Sequence, residues 1–379
     1  MNTNSFFNGS RLDNLFSWLA ASVVVAGAVV FAIKREEKRQ QQIVPVTPSP
    51  AQEPLGLQVA RASEPGRGRR AEAPFAIPWR GWNDILWRSY QNIQSNRLLA
   101  LAAGVVFYSL VALFPAIAAG VSFYGVFADA GTIAKHLSLL ANIIPTDTLD
   151  ILRDEITRIA AKSDGRLTFG FLLGLGIALW SANAGMKAIF DALNIIYNER
   201  EKRGLVRLNL ISLSFTICAI GGALLAIGAV VVFPLLLAAF GLSSFDEPII
   251  GYLRWPALFV LIIFGLAVLY RYGPSRRPAK WRWISVGSVA AALIWLVTSC
   301  LFSWYLGNFA NYNATYGALG AVMGLMMWMW ISTVVVLIGA ELNSEIEHQT
   351  ARDSTVGLPK PLGTRGAIMA DTVGEAQAA

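Results

Sequence analysis

The segment VVVLIGAELNSEIEH, residues 334–348, decides the fold because it closes a run, residues 283–340, that contains no Asp, Glu, Lys or Arg. An α-helix rises about 1.5 Å per residue and the hydrocarbon core of a bilayer is about 30 Å thick, so uncharged stretches of about 20 residues predict membrane-spanning helices. The run breaks at Glu341. This carboxylate either marks the point where a helix leaves the lipid, or lies just inside it because the protein requires it there.

The composition indicates an all-α integral membrane protein. Of 379 residues, 55% are hydrophobic and 15% are charged, whereas ordinary soluble domains are roughly 25% charged. Cys218 and Cys300 both lie in apolar stretches, where they offer neither a disulfide framework nor a CxxC metal site. With only His136 and His348 in the chain, a multi-histidine metal centre is excluded. We therefore expect no metal and no cofactor.

Seven stretches have the length and composition of a membrane span. The first, over residues 1–33, is detached from the others, so we predict a six-helix transmembrane bundle plus one detached N-terminal transmembrane anchor. A secretory signal peptide is the alternative for this segment, but its length and the basic KREEKR that follows favour an uncleaved anchor. The seven stretches are Leu15–Ile33, Leu98–Ala128, Leu167–Met186, Leu208–Phe240, Trp255–Tyr270, Ile284–Leu306 and Ala318–Ala340.

The regions flanking the six-helix domain are polar. Residues 34–79 are rich in Pro, Gln, Glu and Arg and poor in large apolar side chains, which predicts a flexible cytoplasmic tether. The membrane domain is expected over residues 80–350. Residues 351–379 are expected to form a disordered cytoplasmic tail.

Basic residues predict the orientation, because basic loops stay in the cytoplasm. Residues 34–97 carry eleven Lys or Arg, and residues 187–207 and 271–282 carry five each, whereas residues 241–253 carry none. This pattern places the N-terminus outside and the tether and C-terminus in the cytoplasm. An amphipathic helix around residues 149–159 is then external, where it either packs as a lid or borders a ligand entrance.

Three motifs resemble the signature regions of the YihY/BrkB family of bacterial inner-membrane proteins. They are NRLLALAAGVVFYSLVALFPAIAAGVSFYG (96–125), LWSANAGMKAIFDALNIIYNERE (179–201) and YGALGAVMGLMMWMWISTVVVLIGAELN (316–343). The resemblance covers roughly residues 80–350 and implies a six-helix membrane domain. The family has carried the labels ribonuclease BN and virulence factor, neither of which identifies a mechanism. The N-terminal anchor and tether have no counterpart in the usual domain.

The residues do not favour the ribonuclease label. Phosphodiester cleavage needs a metal cluster or a positioned acid and base beside a basic groove, and the sequence shows neither. Topology explains the basic loops, and Trp281 and Trp283 suit a membrane interface better than base stacking. We expect no catalytic residues and no nucleic-acid partner.

A polar stripe on the second helix of the domain is the main candidate for a substrate path. Its members recur at steps of three or four residues, which places them on one helical face. In one interpretation Asn183 lines a path inside the bundle. In the other, Lys187 and Asp191 form a weak ion pair at the membrane interface. The stripe comprises Trp180, Asn183, Lys187, Asp191, Asn194 and Asn198, with Ser181 beside it.

Two further regions supply path candidates. In the first domain helix, Tyr108 and Ser109 precede Pro115, which predicts either an ordinary kink or a broken helix at a binding site. In the loop GNFANYNATYG, Tyr312 and Tyr316 either contact a ligand or belong to Asn-stabilised turns. A transporter predicts a continuous polar cavity that joins Asn183, Tyr108 and the external mouth.

These features favour a transporter- or permease-like role for an unidentified lipid or small polar molecule. A non-catalytic scaffold for envelope assembly is the alternative, and it predicts a filled bundle core. The bilayer is the expected partner, together with a lipid or small-molecule ligand if the protein transports one. The sequence does not indicate an oligomeric state.

Glu341 is predicted to be a buried latch near Asn343, tying the last helix to the stripe or to the first domain helix. The small residues Gly339 and Ala340 before it permit close approach of another helix. Glu345, one turn further on, is expected to lie in water. The cations expected to pair with Glu341 are Lys187, Arg97 and Arg207.

Overall fold

The computed structural model of the protein describes residues 54–127, 166–227, 247–309 and 318–377. Within these ranges the regular structure is helical, apart from one isolated antiparallel bridge between Ala279 and Thr355. The predicted anchor at residues 1–33 and the predicted external helix at 149–159 lie outside the described residues. The prediction of an all-α protein is confirmed.

The described helices, in chain order, are α1 (Leu55–Ala62), a 3-10 turn (Pro74–Ala76), α2 (Trp79–Ser95), α3 (Leu98–Phe127), α4 (Arg166–Ile196), α5 (Leu205–Ile227), α6 (Glu247–Tyr272), α7 (Trp281–Phe309), α8 (Ala318–Gln349) and α9 (Ile368–Asp371). Among the described residues, the five helices α4 to α8 are long and apolar enough to cross a membrane. A sixth span results if α2 and the first part of α3, bent by 58° at a short break, are taken together. The protein is therefore an integral membrane protein with five to six described spans.

Several spans extend beyond their predicted ends. Helix α4 continues to Ile196 and α8 to Gln349, about ten residues past the predicted limits. Charged and amide side chains do not stop a helix, because most have only modestly lower helix propensity than alanine. Helix α3 likewise continues through Pro115. The uncharged runs thus located the spans but not the polar turns that prolong them.

The spans pack most tightly at one end of the bundle. Helix α3 runs along α4, and α8 contacts α2, α3, α4, α7 and α9. The large apolar core lies where α8 finishes, and α2, the loops 197–204 and 273–280, and the C-terminal residues converge there; we call this region the capped end. The main core residues are Leu98, Ala102, Leu193, Ile196, Tyr197, Tyr270, Ile284, Leu337 and Ala340.

Close helix contact occurs at Gly339, as its small size predicts. A side chain placed there would clash with Ala291 and with the hydroxyl of Tyr270, and one placed at Gly287 would overlap the backbone carbonyl of Gly339. The Tyr270 hydroxyl donates a hydrogen bond to the carbonyl of Val336 at 2.7 Å. Glycine is thus required on both sides of the α7–α8 contact for the backbones to meet.

The described parts of the expected tether and tail are folded, which corrects both predictions of flexibility over residues 54–79 and 351–377. Gln58 on α1 accepts a hydrogen bond from the amide of Val373 at 2.6 Å. Arg69 is buried and donates to the carbonyl of Gly374 at 2.8 Å. Arg365 donates to the carbonyls of Ala351 and Ala370. Because arginines bonded to backbone carbonyls hold these segments, their low apolar content does not prevent order.

Candidate functional site

The C-terminal end of α8 is a polar helix terminus that the protein buries. Glu341, Asn343, Glu345 and Glu347 each have at most 1% of their surface exposed. Charged side chains are almost never fully buried unless they are paired. The partners of these three carboxylates therefore indicate what the site can do.

Glu347 forms a two-point ion pair with Arg276. The two guanidinium Nη atoms donate to the two carboxylate oxygens at 2.9 and 2.6 Å, and both side chains are 0% exposed. The guanidinium also lies 4.0 Å from the ring centroid of Tyr197. Burial alone lowers the pKa of Arg276, but the adjacent Glu347 carboxylate outweighs it and raises that pKa above its ordinary value. The pair therefore stays charged and joins the 273–280 loop to α8.

Glu345 forms the second buried pair, which corrects the expectation that it lies in water. Arg88 of α2 donates from Nε to a carboxylate oxygen of Glu345, and Asn92 donates to the other oxygen at 2.9 Å. Arg88 also donates to the side chain of Gln349 at 2.7 Å. Helix α2 folds against α8, so Glu345 is shielded by protein even though it lies beyond the uncharged run.

Asp84 extends this network on α2. Its carboxylate accepts a hydrogen bond from Arg67 at 2.6 Å and another from the backbone amide of Gln377 at 2.9 Å. The residues before the first span and those after the last span therefore share one buried carboxylate.

Glu341 is buried as predicted, but not one of the expected cations pairs with it in the described ranges. Its Oε2 accepts a hydrogen bond from Asn96 at 3.4 Å, and its Oε1 has no hydrogen-bond partner among the residues described. Arg97 and Arg207 are exposed to the surroundings of the bundle. The side-chain amide of Asn96 thus connects Glu341 to the N-terminal end of α3, the first domain helix.

Asn343 faces α7 rather than α2. Its Oδ1 accepts a hydrogen bond from the backbone amide of Gly287 at 2.8 Å. Its Nδ2 is buried and is not hydrogen-bonded to any residue that the structure describes. Glu341 and Asn343 are therefore both buried with spare hydrogen-bonding capacity, but on different sides of α8.

The predicted polar stripe on α4 is divided between the interior and the surface. Asn183 is buried, and its Oδ1 lacks a hydrogen-bond partner within the described ranges. Trp180 is 73% exposed, and the Lys187 ammonium lies 5.6 Å from its ring centroid. Ser181 and Lys187 are half-buried and Asp191 is exposed. The structure therefore does not gather the stripe on one internal face.

Asn194, the other buried member of the stripe, joins α4 to two loops. It accepts a hydrogen bond from the amide of Ser275 at 2.7 Å and donates to Glu201 at 3.1 Å. Burial raises the pKa of Glu201, but hydrogen bonds, first from Arg203, outweigh it and lower that pKa to about 2. The stripe thus ends in a structural junction at the capped end.

The remaining path candidates are dispersed. Tyr108 is 45% exposed, and Ser109 packs against Gly185, where an added side chain would contact its hydroxyl at 3.4 Å. Pro115 lies within α3 in a part whose side chains are not described, and Tyr312 and Tyr316 lie outside the described residues. The contact at Ser109 brings α3 directly against α4 near Asn183.

One shallow groove, of about 260 Å³, lies between α7 and α8. Not one predicted path residue is among its lining residues. These are Ser299, Phe302, Ser303, Leu306, Gly324, Leu325 and Trp328. Gly324 lines this groove and is not at a close approach of two helices, since an added side chain there would meet nothing within 4 Å.

Sequence reasoning missed the arginines of the capped end. It explained Arg88 and Arg276 as topology signals, because basic loops mark one side of a membrane whether or not they are buried. A usable signal was present in α2, where Asp84 and Arg88 fall on one helical face four residues apart. Because Asp84 and Arg88 are both buried, the face of α2 that carries them is the one turned towards the protein interior.

In the described ranges there is no group of three or more His, Cys, Asp or Glu side chains that could hold a metal ion. The site instead combines two closed ion pairs with two buried groups, Glu341 and Asn343, that can still form hydrogen bonds. Such an arrangement can bind a polar group or a proton.

Comparison with known proteins matches residues 89–361 to the family model described as virulence factor BrkB. A UPF0761 membrane protein of Idiomarina loihiensis is 32% identical over 287 residues, which cover 70% of this chain and 95% of the relative. Another UPF0761 membrane protein, from Cronobacter sakazakii, is 31% identical over 270 residues, which cover 70% of this chain and 88% of the relative. The putative ribonuclease-like protein YfkH of Bacillus subtilis is 31% identical over 195 residues, which cover 48% of this chain and 66% of YfkH. No solved structure matches the chain.

Proposed function

Because this chain belongs to the virulence factor BrkB family, which includes the UPF0761 membrane proteins, we propose that it is a transporter- or permease-like protein of the bacterial inner membrane. Its substrate is a lipid or a small polar molecule. The observation that carries the proposal is the carboxylate of Glu341, which is buried in a spanning helix with no cation paired to it in the described ranges.

Burying the Glu341 carboxylate costs free energy. Burying a carboxylate without a paired cation is unfavourable, and ionisable residues retained within membrane-spanning segments usually line substrate or ion paths or proton relays. For Glu345 and Glu347, the ion pairs with Arg88 and Arg276 offset part of this burial free energy. Glu341 has no ion pair in the described ranges and accepts a 3.4 Å hydrogen bond from Asn96. This asymmetry supports a role for Glu341 in binding.

The capped end would act as the cytoplasmic gate of this transporter. Its basic loops support that side, since positive residues stay in the cytoplasm. Two ion pairs and several arginine–carbonyl bonds hold it closed, and such bonds can exchange partners when a ligand binds. A gate also accounts for the absence of a path through the packed end of the bundle in the described ranges.

The test compares variants in cells that lack the gene, by untargeted lipid and metabolite analysis at equal protein level. The wild-type chain should restore the compounds that change, whereas Asn183→Leu and Glu341→Gln should not. Asn308→Leu is the matched control, because Asn308 is exposed and donates to the carbonyl of Trp304 on its own helix. Equal restoration by all three variants would contradict transport through these residues.

A scaffold for envelope assembly is the second candidate. The observation that favours it is the filled apolar core at the capped end, which leaves the bundle closed there. A scaffold requires the folded cap but not the buried polar atoms. It therefore predicts that Glu345→Gln abolishes restoration while Asn183→Leu and Glu341→Gln preserve it.

We propose no catalytic role. The name of YfkH describes that protein as ribonuclease-like, but the described residues of this chain lack a group of metal-holding side chains. The purified protein should leave tRNA precursors intact over hours with and without divalent cations. Cleavage that co-purifies with the wild-type chain and is lost in Glu341→Gln would overturn this view.

A further inference from the structure

Arg271, in the last turn of α6, lies between two aromatic rings. Its guanidinium carbon is 4.4 Å from the ring centroid of Trp281 and 5.2 Å from that of Tyr272. The residue is 9% exposed. Stacking on Trp281, the first residue of α7, fixes the plane of the guanidinium across the α6–α7 hairpin.

This guanidinium has no acceptor within the part of the chain that the structure describes. Its Nε and Nη1 are buried without a hydrogen-bond partner. The neighbouring Arg203 donates to Glu201 and to the carbonyl of Gly273, and Arg276 donates to Glu347. Leaving a buried donor unpaired is unfavourable, and more so for a charged group, so the guanidinium of Arg271 has hydrogen-bonding capacity that the described residues do not use.

The surroundings of Arg271 indicate where that acceptor comes from. Trp281 stacks on Phe264 with ring centroids 6.3 Å apart, and these rings lie on the outside of the bundle, where Phe264 is 59% and Trp281 45% exposed. Trp and Tyr at the ends of spanning helices mark the boundary between hydrocarbon and headgroups. The guanidinium is therefore at headgroup depth beside lipid.

We infer that Arg271, held by Trp281 and Tyr272, binds the phosphate group of a phospholipid headgroup. Arginine forms charge-assisted hydrogen bonds with phosphate, and Nη2, which is not among the buried nitrogens of Arg271, is the donor that a phosphate can reach. The adjacent exposed Arg282 adds positive potential without belonging to the stacked site. A free phosphate ion offers the same oxygens, so the ligand class is a phosphate group and the bilayer is its source.

This site is separate from the proposed path residues, because it lies on the outer rim of the α6–α7 hairpin. Its test is a binding measurement and does not depend on transport. Purified full-length protein in a non-ionic detergent is titrated with dioleoyl phosphatidylglycerol, and bound lipid is counted by native mass spectrometry. A parallel titration with inorganic phosphate alone, read by thermal unfolding, distinguishes a free ion from a lipid.

Arg271→Gln should weaken phosphatidylglycerol binding roughly tenfold or more, because a charge-assisted arginine–phosphate contact is lost. Arg282→Gln removes the same charge one residue beyond Trp281 and should weaken binding less than threefold. Arg271→Lys keeps the charge but loses the planar fork, so its affinity should lie between the wild type and Arg271→Gln. If Arg271→Gln does not yield folded protein, Arg271→Lys against Arg282→Gln gives the same comparison.

Equal phosphatidylglycerol affinity in the wild type and in the folded Arg271 variant would overturn the inference. A loss as large in Arg282→Gln as at Arg271 would overturn it too, since it would reflect overall charge. Stabilisation by inorganic phosphate that depends on Arg271, without lipid retention, would keep the phosphate site but reject the bilayer as its source.

Discussion

Glu341 and Glu345 lie one helical turn apart on α8, and both are buried, yet their partners differ. Glu345 is paired with Arg88, whereas Glu341 has an amide contact. The sequence predicted burial and close packing correctly near Gly339, but it assigned the ion pair to Glu341 and placed Glu345 in water, whereas the structure pairs Glu345. The difference depends on α2, which packs across the end of α8 and covers Glu345.

At the residue scale, Glu345→Gln should destabilise the protein by about 3–5 kcal/mol, because removing one partner leaves Arg88 buried and uncompensated. Thermal unfolding in detergent measures the effect. The matched control is Glu72→Gln. Oε1 of Glu72 is 3.9 Å from Nη2 of Arg352, and both side chains are well exposed. Such a surface pair contributes about 0–1 kcal/mol. Similar losses in the two variants would contradict the buried latch at Glu345.

Glu201 predicts a specific dependence of stability on pH. Its pKa is lowered to about 2 in the folded protein, below the ordinary value of about 4.3 for an unfolded chain. The stabilisation is therefore present above the unfolded pKa and is lost as pH falls through the folded pKa. The difference in melting temperature between wild type and Glu201→Gln should be constant from pH 7 to 5 and shrink between about pH 4.3 and 2. A difference that grows on acidification would contradict this assignment.

At the element scale, α2 buries a face that mixes polar and apolar side chains. Its inner face carries Ile85 together with Asp84, Arg88 and Ser89, whereas Leu86 and Tyr90 are exposed on the outer face. Apolar periodicity finds helices that bury their apolar side, so the sequence pattern predicted neither this helix nor its orientation. The Arg88–Glu345 ion pair fixes this orientation, because it brings the charged side chains of the inner face against the polar end of α8.

We predict that the outer face of α2 lies in the headgroup region of the bilayer. A nitroxide label at Leu86 should be more accessible to oxygen than to a water-soluble relaxation agent, because oxygen concentrates in lipid. A label at Gln91, which is exposed on the flank of α2 away from Leu86, should show the reverse. Equal accessibility profiles at the two positions would indicate that α2 lies entirely in water.

At the scale of the whole molecule, the spans could be predicted because charge is excluded from lipid at every position of a crossing helix. The cap could not be predicted from the same reasoning. Its contacts join residues such as Arg69 and Gly374, and its order depends on arginine–carbonyl bonds instead of apolar burial. No local pattern in either segment reveals such a partner.

The orientation gives a test on the intact molecule. In a variant with Cys218 and Cys300 replaced by Ala, cysteines at Ser244 and Asn311 should react with an impermeant thiol reagent applied to whole cells. Ser275 is a poor internal probe, because it is buried and bonded to Asn194. A cysteine at Leu358, which is 85% exposed, should react only after permeabilisation. Labelling of Leu358→Cys in sealed cells would reverse the proposed topology.

The Arg88–Glu345 pair joins positions 257 residues apart, and this separation sets the order of assembly during synthesis. At roughly 5–20 residues per second, α2 waits about 13–50 s for its partner to be made. During that interval Arg88 and Asp84 of α2 remain hydrated. The spanning helices that lie between Arg88 and Glu345 in the chain enter the bilayer first. The capped end therefore assembles last, after α8 is complete. A nascent chain that stops before Glu345 would leave α2 without its packing partner on α8, accessible to proteases that remove unfinished proteins.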